Sequence, residues 1–322
     1  MADMPKIPRD SGPVQGGLLP GAEGQAAFEL HRRKPSAVPV LLAVPHAGRA
    51  YPPDLLQRMR HPEQACLRLE DRLADLVATR VAEATGAALL VANAPRAMID
   101  LNRATEDMDW EMVAGGRPGS ALREALGGRA RYAAGRRARS GLGLVPRRLP
   151  GMGELWKSRL DPEELDARIE LVHRPYHGML AQALETLRDR WGAALLLDIH
   201  SMPPLGSKAG HDPAPDFVIG DRYGSSCGAH LSLAAFHHFD AEGRRAAHNR
   251  PYAGGYVLDR HGAPARGLHA MQVEICRAAY LDPSLQEAGE GLDAVADVIA
   301  GLVRRLAEEL VAGPRSMPQA AE

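Results

Sequence analysis

Two polar, ionisable residues close an apolar run at Leu195–Pro204, LLLDIHSMPP. Asp198 and His200 are two apart, so on a strand they project to the same face. The C-terminal end of a strand is also where open α/β sheets collect ligands. A second apolar run ends in Pro45-His46-Ala47-Gly48, and the segment after it carries adjacent carboxylates, Glu70 and Asp71. A third, MQVEICR, sets Glu274 inside an apolar strand, where an unpaired carboxylate is costly. Two histidines and a carboxylate form a zinc-type ligand set with one position open for water. A further carboxylate beside it could accept that water's proton. The segment PRAMIDLNR, residues 95–103, adds Arg96 and Arg103, with Asp100 and Asn102 between them. Arginine presents a planar fork that matches carboxylates, and Asp and Asn can hold such a fork in place. Each piece alone also fits a structural salt bridge or a packed histidine; only their convergence at one edge would be specific.

The elements that must bring them together follow from the apolar pattern. Strands are expected within 37–48, 87–95, 193–200, 215–221 and 269–277, with 96–104 as a further strand. Helical spacing runs through 65–86. A helix capped by Asp161 and opened by Pro162 should continue towards Trp191 with a break near Pro175, and a last helix should run from Asp282-Pro283 to about Leu310. Strands alternating with helices predict an α/β fold: three layers, α/β/α, around a mixed, partly parallel sheet. The expected organisation is a loose N-terminal arm over 1–26, one catalytic domain over 27–312, and a frayed tail over 313–322. Within the domain, 113–151 forms an insertion rich in glycine and alanine with nine arginines. It reads as a solvated segment, a lid able to bring arginine to an anionic substrate, rather than a nucleic-acid surface, since Tyr132 is its only aromatic for stacking.

Composition narrows the classes. The 322 residues are 45% hydrophobic and 25% charged, with a formal net charge of −1. That balance gives no global field for nucleic acid or an anionic membrane. Cys66, Cys227 and Cys276 are odd in number, widely spaced and without a CxxC pattern, which argues against a disulfide framework or thiolate metal site. The N-terminal residues lack the apolar core of a signal peptide, and no apolar run reaches membrane-spanning length. A soluble, cytoplasmic protein with no membrane or nucleic-acid partner is expected.

Taken together, VPHAG with YPPDLL, LEDRLADL, PRAMIDLNRA, RPYHGML, LLLDIHSMP, PDFVIGDRYGSSC, NRPYAGGYV and HGAPARGLHAMQVEICRAAYLD resemble, in order and over roughly 38–283, the N-formylglutamate amidohydrolase family. That family is itself related to zinc exopeptidases and aspartoacylases. The resemblance implies a zinc exopeptidase-like fold and one zinc ion, or another divalent metal in its place, held by His46, Asp71 and His200, with Glu70 the alternative acidic ligand. It implies Glu274 as general base, Arg96 as stabiliser of the oxyanion, and Asn102 and Arg103 as partners of a substrate carboxylate. Asp100 and Asp198 would orient the metal ligands. The implied reaction is hydrolysis of an N-acyl amino acid, N-formyl-L-glutamate to formate and L-glutamate. Another N-acyl amino acid or a small peptide is the nearest alternative, and a non-catalytic binding protein of the same fold a more distant one. His177 and His269 fit the same motifs and are assigned no chemistry.

Overall fold

A computed structural model describes residues 12–116, 136–206 and 214–313. Eight strands form one mixed sheet: β1 (Val14–Gly16), β2 (Phe28–His31), β3 (Val40–Val44), β4 (Ala88–Ala92), β7 (Ala194–Met202), β8 (Phe217–Gly220), β9 (Ala246–His248) and β10 (Leu268–Cys276), while β5 (Arg148–Leu149) and β6 (Gly153–Glu154) pair separately. The order is β1-β2-β4-β3-β7-β10-β8-β9. Its centre, β4-β3-β7-β10, is parallel, and the flanking β2 and β8 are antiparallel to it. All nine residues of β7 are buried, as a central parallel strand with helices on both faces requires.

Strand alternation splits the core in two. Val40, Leu42, Leu195, Leu197, Met271 and Val273 face the helices Ala74–Thr85, Ala229–Ala241 and Leu292–Ala312. Leu41, Ala43, Ala194, Leu196 and Ala270 face the other layer, built on the helices Pro162–Arg168 and Arg174–Trp191. The second face turns polar as the strands reach their C-terminal ends. There Leu196 gives way to Asp198 and His200, and Ala270 to Gln272 and Glu274. The parallel register sets Asp198 beside Gln272 and His200 beside Glu274. Among the described residues, no helix is long and apolar enough to cross a membrane.

Several local expectations are corrected. The helical pattern over 65–86 is not one helix: it stops at Leu69 and restarts at Ala74, with Leu73 in the left-handed region at φ 57°. A tertiary bond wins over periodicity there, because the Asp71 amide donates to the His46 carbonyl at 2.9 Å. Residues 96–104 form turns rather than a strand; Asp100 Oδ1 accepts the Asn102 amide at 2.8 Å, an Asx turn that replaces a ladder. The break expected near Pro175 is a π-helical turn, Ile169–His173. Asp282 opens a turn by accepting from the Gln286 and Glu287 amides, and the last helix begins only at Leu292. Of the arm expected over 1–26, the described part is tied down: β1 pairs with β2 and Leu19 is buried. Of the insertion, 117–135 lies outside the described residues, as do most of the C-terminal tail and residues 1–11.

Candidate metal centre and active site

Each histidine of the site is held from behind by its own carboxylate. His46 follows β3 in the loop that contacts Asp71, and its Nε2 lies 2.7 Å from Asp100 Oδ1. His200 stands near the end of β7, its Nε2 2.9 Å from Asp198 Oδ2. A carboxylate on Nε2 keeps that nitrogen protonated, so each ring turns its Nδ1 inward as the free donor atom. Both Nδ1 atoms face one carboxylate oxygen, Asp71 Oδ2, at 3.5 Å from His46 and 2.9 Å from His200. The three ligand atoms lie within 4.8 Å of one another, and all three residues are buried. Glu70 is turned away: its oxygens accept from Tyr51 Oη at 2.9 Å and Arg72 Nη1 at 3.2 Å. The helix break at 70–73 is what separates these adjacent carboxylates.

The donor set fits a divalent metal. Tetrahedral ligands about 2.0–2.2 Å from zinc stand a little over 3 Å apart, and the two spacings to Asp71, 2.9 and 3.5 Å, bracket that value. The charges agree. Burial disfavours ionised Asp71, yet hydrogen bonds from His200 and His46 hold its carboxyl well below the usual range. Burial disfavours charged His200, but Asp198 and Asp71 raise it well above an ordinary histidine. Asp71 and His200 thus share protons in the place a cation would take. Ser201 Oγ donates to the outer Asp71 oxygen at 3.1 Å, and Arg277 in turn donates to Ser201 Oγ at 3.0 Å.

Glu274 flanks this cluster. Gln272 Nε2 donates to its Oε1 at 2.8 Å. Burial, with the charges of Asp71 and Asp198 adding and those of His200 and Arg96 opposing, raises its pKa to about 7. Arg96 spends its Nε on Asp100 Oδ2 at 2.9 Å. Burial opposes the charge of Arg96, but Asp100, Asp71 and Glu274 outweigh it and keep the guanidinium protonated. Asn102 Oδ1 accepts the Val257 amide at 3.0 Å, leaving its Nδ2 near Gln272 Oε1 at 3.4 Å. Arg103 is anchored by Nε to the Leu142 carbonyl and by Nη1 to that of Asn102.

These groups line one cavity of about 420 Å³, together with Arg68, Arg137, Arg277 and Tyr252. A larger concavity, about 1110 Å³ between Phe236, Arg245 and Pro251, has none of these groups on its walls. Gln272, Ser201, Arg277 and Arg137 were not singled out as site residues from sequence. Gln272 had a signal, being two residues before Glu274 on the same strand face; Arg277 and Ser201 act through folded contacts that spacing does not reveal.

The family model for N-formylglutamate amidohydrolase matches residues 38–281. The chain belongs to the N-formylglutamate amidohydrolase family. N-formylglutamate deformylase of Pseudomonas putida is 28% identical over 249 residues, covering 76% of this chain and 82% of that protein. The Pseudomonas aeruginosa deformylase is 27% identical over 293 residues, covering 88% and 96%. Among solved structures, the N-formylglutamate amidohydrolase of Ralstonia eutropha JMP134 is similar with a TM-score of 0.76 and 28% identity, over 88% of this chain and 97% of that one. A gene product of Agrobacterium tumefaciens shares the fold at a TM-score of 0.60 and 18% identity, over 91% and 96%. Residues from VPHAG, LEDRLADL, PRAMIDLNRA, LLLDIHSMP, NRPYAGGYV and MQVEICR line the cavity, while YPPDLL, RPYHGML and PDFVIGDRYGSSC lie off it; the mixed α/β architecture is the one expected.

Proposed function

We propose that this protein is a metal-dependent amidohydrolase that cleaves N-formyl-L-glutamate to formate and L-glutamate. The observation that carries it is the pairing of the His46–Asp71–His200 cluster with Glu274 on the neighbouring strand position. The deformylase names of the relatives support the choice of substrate. His46, His200 and Asp71 would hold one zinc ion, with Asp100 and Asp198 orienting the two rings. When bound, such an ion polarises an amide carbonyl and acidifies a water molecule.

The residues divide the remaining work. Glu274, with a pKa near neutrality, takes a proton from the attacking water and returns it to the departing amine nitrogen. Arg96, held by Asp100, lines the cavity beside Asp71 and Glu274, where charge develops on the carbonyl oxygen. Arg103 supplies one cation for a substrate carboxylate. Arg137, from the described end of the insertion, supplies a second. Burial lowers the pKa of Arg103 first, with the charges of Arg96 and Arg137 adding to it against Asp100 and Asp107, and among the described residues Arg137 lines the cavity without an ion pair of its own. Of the five arginines lining the cavity, Arg103 and Arg137 are the pair assigned here to a substrate with two carboxylates. Asn102, whose oxygen is committed to Val257, offers only its Nδ2.

The test is formate release from N-formyl-L-glutamate by zinc-loaded protein, with and without chelator. Release abolished by chelation and restored by zinc supports metal, reaction and substrate together. Stoichiometric zinc with no release would falsify the substrate while keeping the site. Arg137→Ala should raise KM for the dicarboxylate about tenfold and change KM for a monocarboxylate N-formyl amino acid little; equal effects on both would remove Arg137 from substrate selection.

A further inference from the structure

Behind the 100–103 segment lie three buried histidines that take no part in the chemistry above. His173 ends the π-helical turn Ile169–His173, His177 lies in the helix Arg174–Trp191, and His261 closes the short helix Tyr256–His261. His173 Nε2 lies 2.8 Å from the Arg103 carbonyl, and His177 Nε2 lies 3.0 Å from the Leu101 carbonyl. His177 Nδ1 lies 3.0 Å from His261 Nε2. A carbonyl only accepts, so His173 and His177 each carry the proton on Nε2. Burial holds the pKa of His173 at about 4 and of His261 at about 3, and that of His177 well below the usual value, so all three rings are neutral. His177 Nδ1 is then an acceptor, and His261 Nε2–H donates to it. His261 and His177 thus form a relay onto the Leu101 carbonyl, and His173 stands beside it on the Arg103 carbonyl with its own fixed tautomer.

What these histidines hold is a stretch without helix or strand. Each of its carbonyls has a donor of its own. The Asp100 carbonyl takes the Arg103 amide, Leu101 takes His177, Asn102 takes Arg103 Nη1, and Arg103 takes His173. His173 and His177 are four residues apart, from the end of the π-turn into the α-helix that follows it, so both face the segment, their ring centroids 4.4 Å apart. His261 enters from the helix whose Val257 amide already grips Asn102 Oδ1.

We propose that His173, His177 and His261 are positioning residues: a histidine clamp that fixes the backbone of residues 101–103 so that Asn102 and Arg103 face the substrate carboxylate. The inference rests on the carboxylate role given to Arg103 above. It assigns a working part to three histidines that would otherwise be only core.

The test pairs two substitutions at His177. His177→Phe keeps ring bulk but removes both the donor and the acceptor; His177→Gln keeps a donor within reach of the Leu101 carbonyl. Hydrogen–deuterium exchange over the peptide containing 100–104 reads the clamp with or without activity. Exchange should speed about tenfold or more in His177→Phe, as a buried carbonyl loses its partner, and return most of the way in His177→Gln. KM for N-formyl-L-glutamate should rise in the Phe variant by more than kcat falls, again recovered by Gln. Unchanged exchange at 100–104 in His177→Phe overturns the clamp, and so does faster exchange that Gln fails to slow. Faster exchange with unchanged KM overturns its service to substrate binding. Should His177→Phe not fold, His173→Phe and His173→Gln ask the same question through the Arg103 carbonyl. Arg103→Ala separates the two readings: an unchanged KM there discards the carboxylate role, and the exchange result still judges the clamp.

Discussion

β7 and β10 run side by side in register, and each delivers one ionisable residue to the same face at the same level, His200 and Glu274. The strands then treat these residues oppositely. His200 has a carboxylate on each ring nitrogen, Asp198 and Asp71. Glu274 has one neutral hydrogen bond, from Gln272. The first is a position built to hold positive charge. The second is built to make negative charge costly, so that its proton comes and goes near neutral pH. On the roles proposed above, a ligand and a base therefore differ less in residue type or depth than in the number of opposite charges that meet them.

The largest effects should come from exchanging those roles. His200→Ala removes a proposed metal ligand and leaves Asp71 and Asp198 buried without their shared partner; zinc stoichiometry should drop and activity vanish. Glu274→Gln should cut kcat by about 10³-fold with zinc content unchanged, as measured by atomic absorption beside steady-state rates. If Glu274→Gln also lost the metal, the distinction between the two strands would collapse. Next in size is Asp198→Asn, which keeps shape but removes the charge that fixes the His200 ring; zinc affinity should weaken about 10–100-fold by competition against a chromogenic chelator. A wild-type affinity would mean that Asp198 is only filler.

The pH dependence sharpens the same contrast. Glu274 is raised to about 7 by burial first, so the active carboxylate is lost as pH falls through that value. A bound cation lowers the midpoint, so kcat/KM should lose one proton's worth of activity at or below about 7 on the acid side. Metal affinity should rise with pH for a different reason: Asp71 and His200 share protons that the cation must displace. A single midpoint governing both rate and affinity would argue against two separately tuned positions.

The sheet and its cargo were legible because both obey alternation. Three apolar runs with one face turning polar at the end could be placed on parallel central strands from the sequence, and Asp198, His200 and Glu274 came with them. Asp71 over Glu70 was not legible from periodicity, since the helical pattern runs straight through both; the choice is made by the Asp71 amide reaching His46, 25 residues earlier. The 96–104 segment misled for a similar reason. Its apolar residues Met98, Ile99 and Leu101 are buried as a strand's would be, but the Asp100 side chain takes the local amide and folds the chain into a turn. Where a side chain or a distant carbonyl competes for the backbone, a periodic pattern reports burial and not the element.

The smallest effect tests whether Glu274 is held against its own stability. Its folded pKa of about 7 lies above the 4.5 of an ordinary glutamate, so the folded protein binds this proton more tightly than the unfolded chain does. The contribution of Glu274 to the stability of the metal-free protein then falls as pH rises from about 4.5 through about 7, and the penalty is complete above that range. Glutamine carries no such penalty. Metal-free Glu274→Gln should melt a few degrees above metal-free wild type at pH 8, roughly 2–6 °C, and the gap should shrink towards zero at pH 5. Zinc should narrow the gap at pH 8, because the cation then compensates the carboxylate. A gap equal at pH 5 and pH 8 would mean that Gln merely packs better, and that the buried charge on β10 is not what the fold works against.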